Sequence, residues 1–224
     1  MHIYLANIFG NPNVGLYCFC SDSYCLVPLG LPEKFHKKIE ETLKVPVIET
    51  SIAGTTLLGV FFAGNSNCLL VPEIAFKEDL KVLDDNKIKY HIVESRYTAL
   101  GNNILCNDNG CIINPNYTDK TLSKIESALG VPTKRGTINK LDIVGSLASV
   151  NNTNGVCGND IEDYEKKFIK NILKIDMTTG TVNFGSAYIG SGVIVNSHGF
   201  VIGDMSSGVE VANIDETFVG EKDE

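Results

Sequence analysis

The first thirty residues contain no lysine and no arginine. The positively charged start of a secretory signal is therefore missing, and the chain is expected to be cytoplasmic. No C-x-x-C pair occurs among the seven cysteines, an odd number in a chain too long to need stapling, so reduced and mostly buried thiols are expected. No apolar run is clean enough to cross a bilayer. Residues 51–72 carry no charge, but Gly54, Gly59, Gly64 and the cluster Asn65-Ser66-Asn67 interrupt them, which reads as a hairpin. The chain has no G-x-x-x-x-G-K-S/T loop, and Gly190-Ser191-Gly192 lacks the further glycine and helix of a nucleotide site, so no cofactor is expected. Basic residues are in deficit. With 19 Lys and Arg against 27 Asp and Glu, the net charge is −8, which disfavours wrapping nucleic-acid phosphates and points to basic or neutral partners.

What is present is a soluble globular composition, 43% hydrophobic and 21% charged over 224 residues, built from an internal repeat. A glycine interrupts a β-rich apolar run in Val14-Gly15-Leu16, Leu58-Gly59-Val60, Leu100-Gly101-Asn102, Val144-Gly145-Ser146 and Ile189-Gly190-Ser191, with spacings of 44, 42, 44 and 45. Each is followed by a cluster rich in Asn, Asp, Ser and Gly, from Ser21-Asp22-Ser23 through Asn65-Ser66-Asn67, Asn107-Asp108-Asn109-Gly110 and Asn152-Thr153-Asn154-Gly155 to Asn196-Ser197-His198-Gly199. Such clusters supply tight hairpin turns. A short apolar strand follows each turn.

Four units then carry a helical stripe: Leu31, Phe35, Ile39 and Leu43; Phe76, Leu80 and Leu83; Leu122, Ile125 and Leu129; Tyr164, Phe168, Ile172 and Ile175. Pro32 and Thr118 suit helix starts. Leu43-Lys44-Val45-Pro46 and Leu129-Gly130-Val131-Pro132 read as matching helix ends, each proline opening a strand. That third strand ends near a small hydroxyl, at Ser51, Ser95, Thr137 and Thr181. These hydroxyls read as backbone caps, with no base supplied beside them. One period before Ser51 lies Asn7, so residues 2–8 have the character of a third strand without a unit, and the last unit lacks one. The fold class is thus α/β: five repeats of about 44 residues closed by the N-terminal strand into a ring without free sheet edges. A single domain over residues 1–224 follows, compact and about 40 Å across. The repeated glycines are read as points of close backbone approach near the ring's centre.

The segments Thr50-Ser51-Ile52-Ala53-Gly54, Leu69-Leu70-Val71-Pro72, Tyr97-Thr98-Ala99-Leu100-Gly101-Asn102, Cys106-Asn107-Asp108, Gly136-Thr137, Val144-Gly145-Ser146 and Gly180-Thr181-Val182-Asn183 resemble the translation initiation factor 6 family. These are the ribosome anti-association factors of archaea and eukaryotes. The likeness runs through all five units, and the chain is archaeal in length, without the longer C-terminal extension of eukaryotic members. The resemblance implies a pentein fold, a five-fold pseudosymmetric α/β propeller. It also implies a monomer without catalytic, metal or cofactor residues, which binds the intersubunit face of the large ribosomal subunit and so blocks the small subunit. Contact would be chiefly with ribosomal proteins, an L14-type protein and its neighbours, with minor rRNA contact and no membrane. Residues just after the repeated glycines would share one face: Leu16, Val60, Asn102, Ser146 and Ser191, joined by Asn103 and Leu147. Asn102 is the leading candidate, because it matches the family motif.

From Asp204 onward the chain carries seven acids, Asp204, Glu210, Asp215, Glu216, Glu221, Asp223 and Glu224, against Lys222 alone. It reads equally as a docking segment and as a frayed tail. The pentein fold also hosts enzymes that modify guanidino groups with a Cys nucleophile and a His, a rival reading. Here the last cysteine is Cys157, the fifth unit has none, His198 falls in a turn and His91 within a strand. Cys18, Cys20 and Cys25 match no zinc spacing. Cys106 and Cys111 flank one turn and face each other across a hairpin, a bridge there requiring an oxidising or hyperthermophilic cytosol.

Overall fold

The computed structural model describes residues 2–219. After β1 (Ile3–Ala6), the first unit runs through a 3-10 turn at Val14–Leu16, β2 (Phe19–Cys20), β3 (Cys25–Pro28), α1 (Glu33–Leu43) and β4 (Val47–Thr50). The second contains α2 (Leu58–Phe61), β5 (Ala63–Gly64), β6 (Leu69–Pro72), α3 (Lys77–Asp85) and β7 (Tyr90–Val93). In the third come α4 (Leu100–Asn103), β8 (Ile104–Cys106), β9 (Cys111–Ile113), α5 (Asp119–Leu129) and β10 (Thr133–Arg135). The fourth consists of α6 (Val144–Leu147), β11 (Ala148–Val150), β12 (Asn154–Cys157), α7 (Asp163–Leu173) and β13 (Asp176–Thr179). The fifth has α8 (Ile189–Gly192), β14 (Val193–Val195), β15 (Phe200–Gly203) and α9 (Gly208–Phe218), and takes β1 as its third strand.

Each unit forms its own three-stranded sheet, an antiparallel hairpin with a third strand parallel to its second member. In the fifth, Ile3 stands opposite Phe200 and Ala6 opposite Gly203. This is the five-fold α/β arrangement of a pentein. The absence of free edges expected from the repeat does not hold, because the five sheets are not hydrogen-bonded to one another and each outer strand keeps an unpaired edge. Those edges are three or four residues long. Charged residues such as Glu49, Lys134 and Asp176 also stand on them, which blunts edge-to-edge pairing.

The helix boundaries follow from local chemistry. Pro32 fixes the entry to α1, and the Thr118 hydroxyl accepts the Thr121 N–H at 3.2 Å at the start of α5. Lys44 (φ 53°) and Gly130 (φ 69°) end α1 and α5 in the left-handed conformation. The chain then enters the third strand through Pro46 and Pro132, whose carbonyls accept the N–H groups of Cys25 and Cys111, both at 2.9 Å.

Each helix covers the sheet of the preceding unit as well as its own. Ile39 and Leu43 of α1 pack with Ile194 and Val201 of the fifth unit, and Leu83 of α3 with Leu26 and Ile52 of the first. Full burial of each such side chain contributes roughly 1.5–3 kcal/mol. In α7 the observed core face is rotated one residue from the expected stripe. Ile169 and Leu173 are fully buried, whereas Tyr164 is 60% exposed and Phe168 and Ile172 are partly buried. The latter two cover the third unit, where a Cβ on Gly136 would stand 2.6 Å from Phe168. The segment 208–218, expected as an acidic docking segment or tail, is the fifth amphipathic helix. Ile214 of α9 is fully buried, and Phe218 packs against Phe200 at 6.5 Å between ring centroids. Glu221, Lys222, Asp223 and Glu224 lie outside the described residues.

Near the axis the five glycines form a closed circuit. A Cβ added at Gly15 would stand 2.1 Å from Gly190 O, at Gly59 1.9 Å from Gly15 O, at Gly101 1.9 Å from Gly59 O, at Gly145 2.0 Å from Gly101 O, and at Gly190 2.0 Å from Gly145 O. Backbone therefore rests directly on backbone all the way round. At the other end of the axis, the turn asparagines make the unit-to-unit links. Asn65 Nδ2 donates to Asn107 O and Leu129 O, Asn107 Nδ2 to Asn151 O and Leu173 O, and Asn196 Nδ2 to Ser21 O and Leu43 O, all at 2.8–3.3 Å. Leu43, Leu129 and Leu173 end their helices, so these amides satisfy carbonyls that would otherwise lack a partner.

Candidate functional site

Strand direction divides the ring into two faces. The second and third strands of each unit run from the hairpin turns towards the helix starts, and the chain then turns back to the axis at the next repeated glycine. One face therefore carries the polar hairpin turns. The opposite, glycine face carries the one-turn helices α2, α4, α6 and α8, the starts of the long helices and the loops after the third strands.

On the glycine face the loops are held in a demanding conformation. Phe9 and Gly10, Ala53 and Gly54, Asn139 and Lys140, and Asn183, Phe184 and Gly185 all have positive φ, each group enclosed by a two-residue β-bridge. Left-handed backbone at a phenylalanine or alanine costs free energy and persists only where the surroundings enforce it. In three of the four loops a buried carboxylate does so. Asp79 accepts the Ser51 hydroxyl and the Ala53 N–H, both at 2.7 Å. Glu165 accepts the Thr137 hydroxyl at 2.7 Å and the N–H groups of Asn139 and Lys140 at 3.1 Å. Glu210 accepts the Thr181 hydroxyl at 2.8 Å, the Gly185 N–H at 2.9 Å and the Ser207 N–H at 2.7 Å. Burial pushes the Glu210 carboxyl up, but those N–H and hydroxyl donors outweigh it and hold it below the usual carboxylate range. In three units the hydroxyl thus binds a carboxylate, whereas Ser95 caps backbone as expected, its hydroxyl accepting the Tyr97 N–H at 3.1 Å. Sequence reasoning missed the carboxylates, although an acid stands 28 or 29 residues after the hydroxyl in three units.

The glycine face displays apolar groups. Thirteen large apolar side chains are exposed among the described residues, and Phe9, Leu29, Ile74, Phe76, Leu141, Tyr164, Phe184, Tyr188, Met205 and Val209, ten of them, stand in the loops and helix starts of the glycine face. Leu5, Ile92 and Val219 are the other three. Phe184 is 72% exposed and Val209 81%. Charged residues of both signs accompany them in the first turns of the long helices, among them Glu33 and Lys34, Lys77 and Glu78, and Asp119 and Lys120.

The residues singled out from sequence separate into two groups. Val60, Asn102 and Ser191 are half-buried at the glycine mouth of the axis, and no hydrogen bond within the described residues uses the Asn102 side-chain amide. Ser146 sits at the same level but is 7% exposed. Leu147 is a core residue, 1% exposed, and offers no surface. Asn103 is committed to the fold, since its amide donates to Ala99 O at 2.8 Å and its Oδ1 accepts from Asn114 Nδ2 at 2.7 Å.

Of the groups weighed for catalysis, Cys157 is fully buried, its thiol donating to Thr178 O, and burial pushes it up to about 12. Its charged neighbours are Lys166 and Glu165. His198 is exposed in the fifth hairpin turn, on the opposite face from the glycine circuit, and His91 is half-buried in β7. No group of three His, Cys, Asp or Glu among the described residues is placed to hold a metal. No helix among them is long and apolar enough to cross a membrane.

Five interleaved units thus carry, on one face, loops held by buried carboxylates and a set of exposed apolar side chains. The eIF-6 family model matches residues 3–217, and the chain belongs to that family. Its relatives carry the name translation initiation factor 6. The protein from Staphylothermus marinus is 40% identical over 218 residues, covering 96% of each chain. That from Thermococcus onnurineus is 36% identical, covering 96% of this chain and 97% of its own. The Pyrococcus horikoshii protein is 35% identical, covering 96% and 98%. A solved dimethylarginine dimethylaminohydrolase aligns with 12% identity and a TM-score of 0.46, over 74% of this chain and 67% of that one.

Proposed function

We propose that the protein binds the large ribosomal subunit through its glycine face and prevents the small subunit from joining. It acts as one closed body, residues 1–224, in the cytoplasm and as a monomer. The observation that carries this reading is the concentration of exposed apolar side chains on the glycine face, Leu141, Phe184 and Tyr188 among them on loops held by Glu165 and Glu210, since exposed apolar surface with a polar rim marks a docking face. A standard interface removes about 800 Å² from each partner, roughly 8% of the 10106 Å² surface of this protein. One face is ample.

The net charge of −8 suits basic ribosomal proteins, an L14-type protein and its neighbours, with rRNA contact minor. Val60, Asn102, Ser146 and Ser191 are the proposed contacts at the mouth, with Asn102 central because its amide is free to bridge to a partner's backbone. Occlusion needs no catalytic group, and the buried Cys157 thiol gives the guanidino-enzyme reading no support. The test is sedimentation of purified large subunits with the protein, followed by small subunits. Co-sedimentation with loss of 70S-type particles is expected, and failure to co-sediment overturns the reading.

A further inference from the structure

Two of the five hairpins carry cysteines at both positions beside the turn, Cys20 opposite Cys25 in the first unit and Cys106 opposite Cys111 in the third. The corresponding pairs elsewhere are Gly64 with Leu69, Val150 with Gly155, and Val195 with Phe200. The N–H groups of Cys25 and Cys111 go to Pro46 O and Pro132 O, not across the hairpin. Each cysteine pair is therefore a non-hydrogen-bonded pair, in which Cα atoms approach to about 4.5 Å and the side chains lean together. A disulfide spans Cα separations of roughly 4.4–6.8 Å. Both members of each pair pack in one apolar cluster, Cys20 with Cys25 and Cys106 with Cys111. Cys25 and Cys111 are buried, whereas Cys20 and Cys106 are half-buried and line the cavity at the hairpin-turn end of the axis.

We propose that these are two redox-active dithiols, each closing a disulfide across its own hairpin by exchange with a small-molecule disulfide admitted at the axial mouth. In the third unit the Cys106 thiolate attacks one sulfur of the oxidant R–S–S–R, forming a mixed disulfide and releasing RS⁻. Cys111 then gives its proton to solvent and attacks Cys106 Sγ, forming the Cys106–Cys111 bond and releasing the second RS⁻. The protein loses two electrons and two protons, and the oxidant becomes two thiols. The adjoining Cys25 thiol, together with burial, pushes the Cys20 thiol well above its ordinary value, and burial with the adjoining Cys106 does the same to Cys111, so both reactions quicken as pH rises. Both bridges pin turns at the axial mouth.

The test treats the native, full-length protein with oxidised glutathione at mildly alkaline pH and maps disulfides by non-reducing peptide mass spectrometry. The expected result is a mass loss of about 2 Da per bridge, with Cys20 joined to Cys25 and Cys106 to Cys111, reversed by reduced glutathione. Cys18, Cys68 and Cys157 should alkylate only after unfolding. Replacing Cys111→Ser should trap glutathione on Cys106, and Cys106→Ser, at a half-buried position, should leave the first-unit bridge alone. Retention of all seven thiols by the wild-type protein, or bridges joining any other cysteines, overturns the proposal whether or not the variants fold.

Discussion

Replacing Gly101→Ala tests whether the axial circuit is a packing constraint. The new methyl carbon would stand 1.9 Å from Gly59 O, 2.7 Å from Phe62 O and 2.9 Å from Gly59 C. Carbon and oxygen rest at roughly 3.3 Å or more even in close backbone contacts, so about 1.4 Å must be found. Every atom in the way is main chain. Gly59 cannot retreat freely either, because its own Cα sits against Gly15 O, and the circuit returns to Gly101 through Gly190 and Gly145. Overpacking of this kind costs about 1–3 kcal/mol or more, and the upper end applies because no side chain can rotate aside. Alanine offsets roughly 0.4–1 kcal/mol by narrowing the unfolded ensemble. The net expectation is a loss of about 2 kcal/mol or more, a fall in Tm of roughly 4–8 °C for a chain of this size. Gly208→Ala is the matched control. At the first position of α9 a Cβ meets nothing within 4 Å, so the same change should raise Tm by about 1–4 °C. Calorimetry of the two variants decides the matter, and coincident melting temperatures would refute the constraint.

Glu165→Gln removes an acceptor that holds the Thr137 hydroxyl and two loop N–H groups, and should cost about 1–3 kcal/mol in urea unfolding. An unchanged midpoint would mean that the carboxylate does not hold its loop. Because the Glu210 carboxyl is depressed in the folded state, its contribution is fully present above the unfolded value of about 4.3 and is lost as pH falls through the lower folded value. The acid limb of stability should therefore flatten in Glu210→Gln, and parallel acid limbs would contradict this. Asn102→Arg should weaken binding to large subunits without altering Tm, whereas Asn103→Ala should lower stability by about 1–3 kcal/mol through its lost buried bonds. Equal binding by Asn102→Arg and wild type in sedimentation would remove Asn102 from the contact.

The architecture was legible because five copies of one pattern share a single physical demand. The glycine at each repeat is fixed by the carbonyl of its neighbour, and the asparagines of the turns by the need to satisfy helix ends in the next unit. Other features were hidden for equally physical reasons. In α7, Tyr164, Phe168 and Ile172 keep helical spacing, yet that stripe serves the neighbouring unit while Ile169 and Leu173 serve the core. A single stripe cannot show which of two sheets it covers. Helix α9 was masked by its acids, although Val211, Ile214 and Phe218 fall at helical spacing. For the site, adjacency to a repeated glycine could not separate Asn102 from Asn103, because consecutive residues of a one-turn helix project in different directions, here one half-buried and the other buried.

If the protein acts by occlusion as proposed, the carboxylate column connects loop geometry to that role. A surface loop ordered only on binding forfeits part of its contact energy to lost conformational freedom, so a steric blocker gains from loops fixed in advance. Phe184 illustrates the arrangement, with left-handed backbone (φ 60°), its N–H and that of Gly185 on Glu210, and a side chain 72% exposed. Glu210 belongs to the first turn of α9, so the loop after β13 is fastened to a helix whose sheet is completed by β1. The display of one aromatic ring thereby depends on the chain's two ends meeting in a single unit. Loosening that closure should weaken binding even where no contact residue is altered.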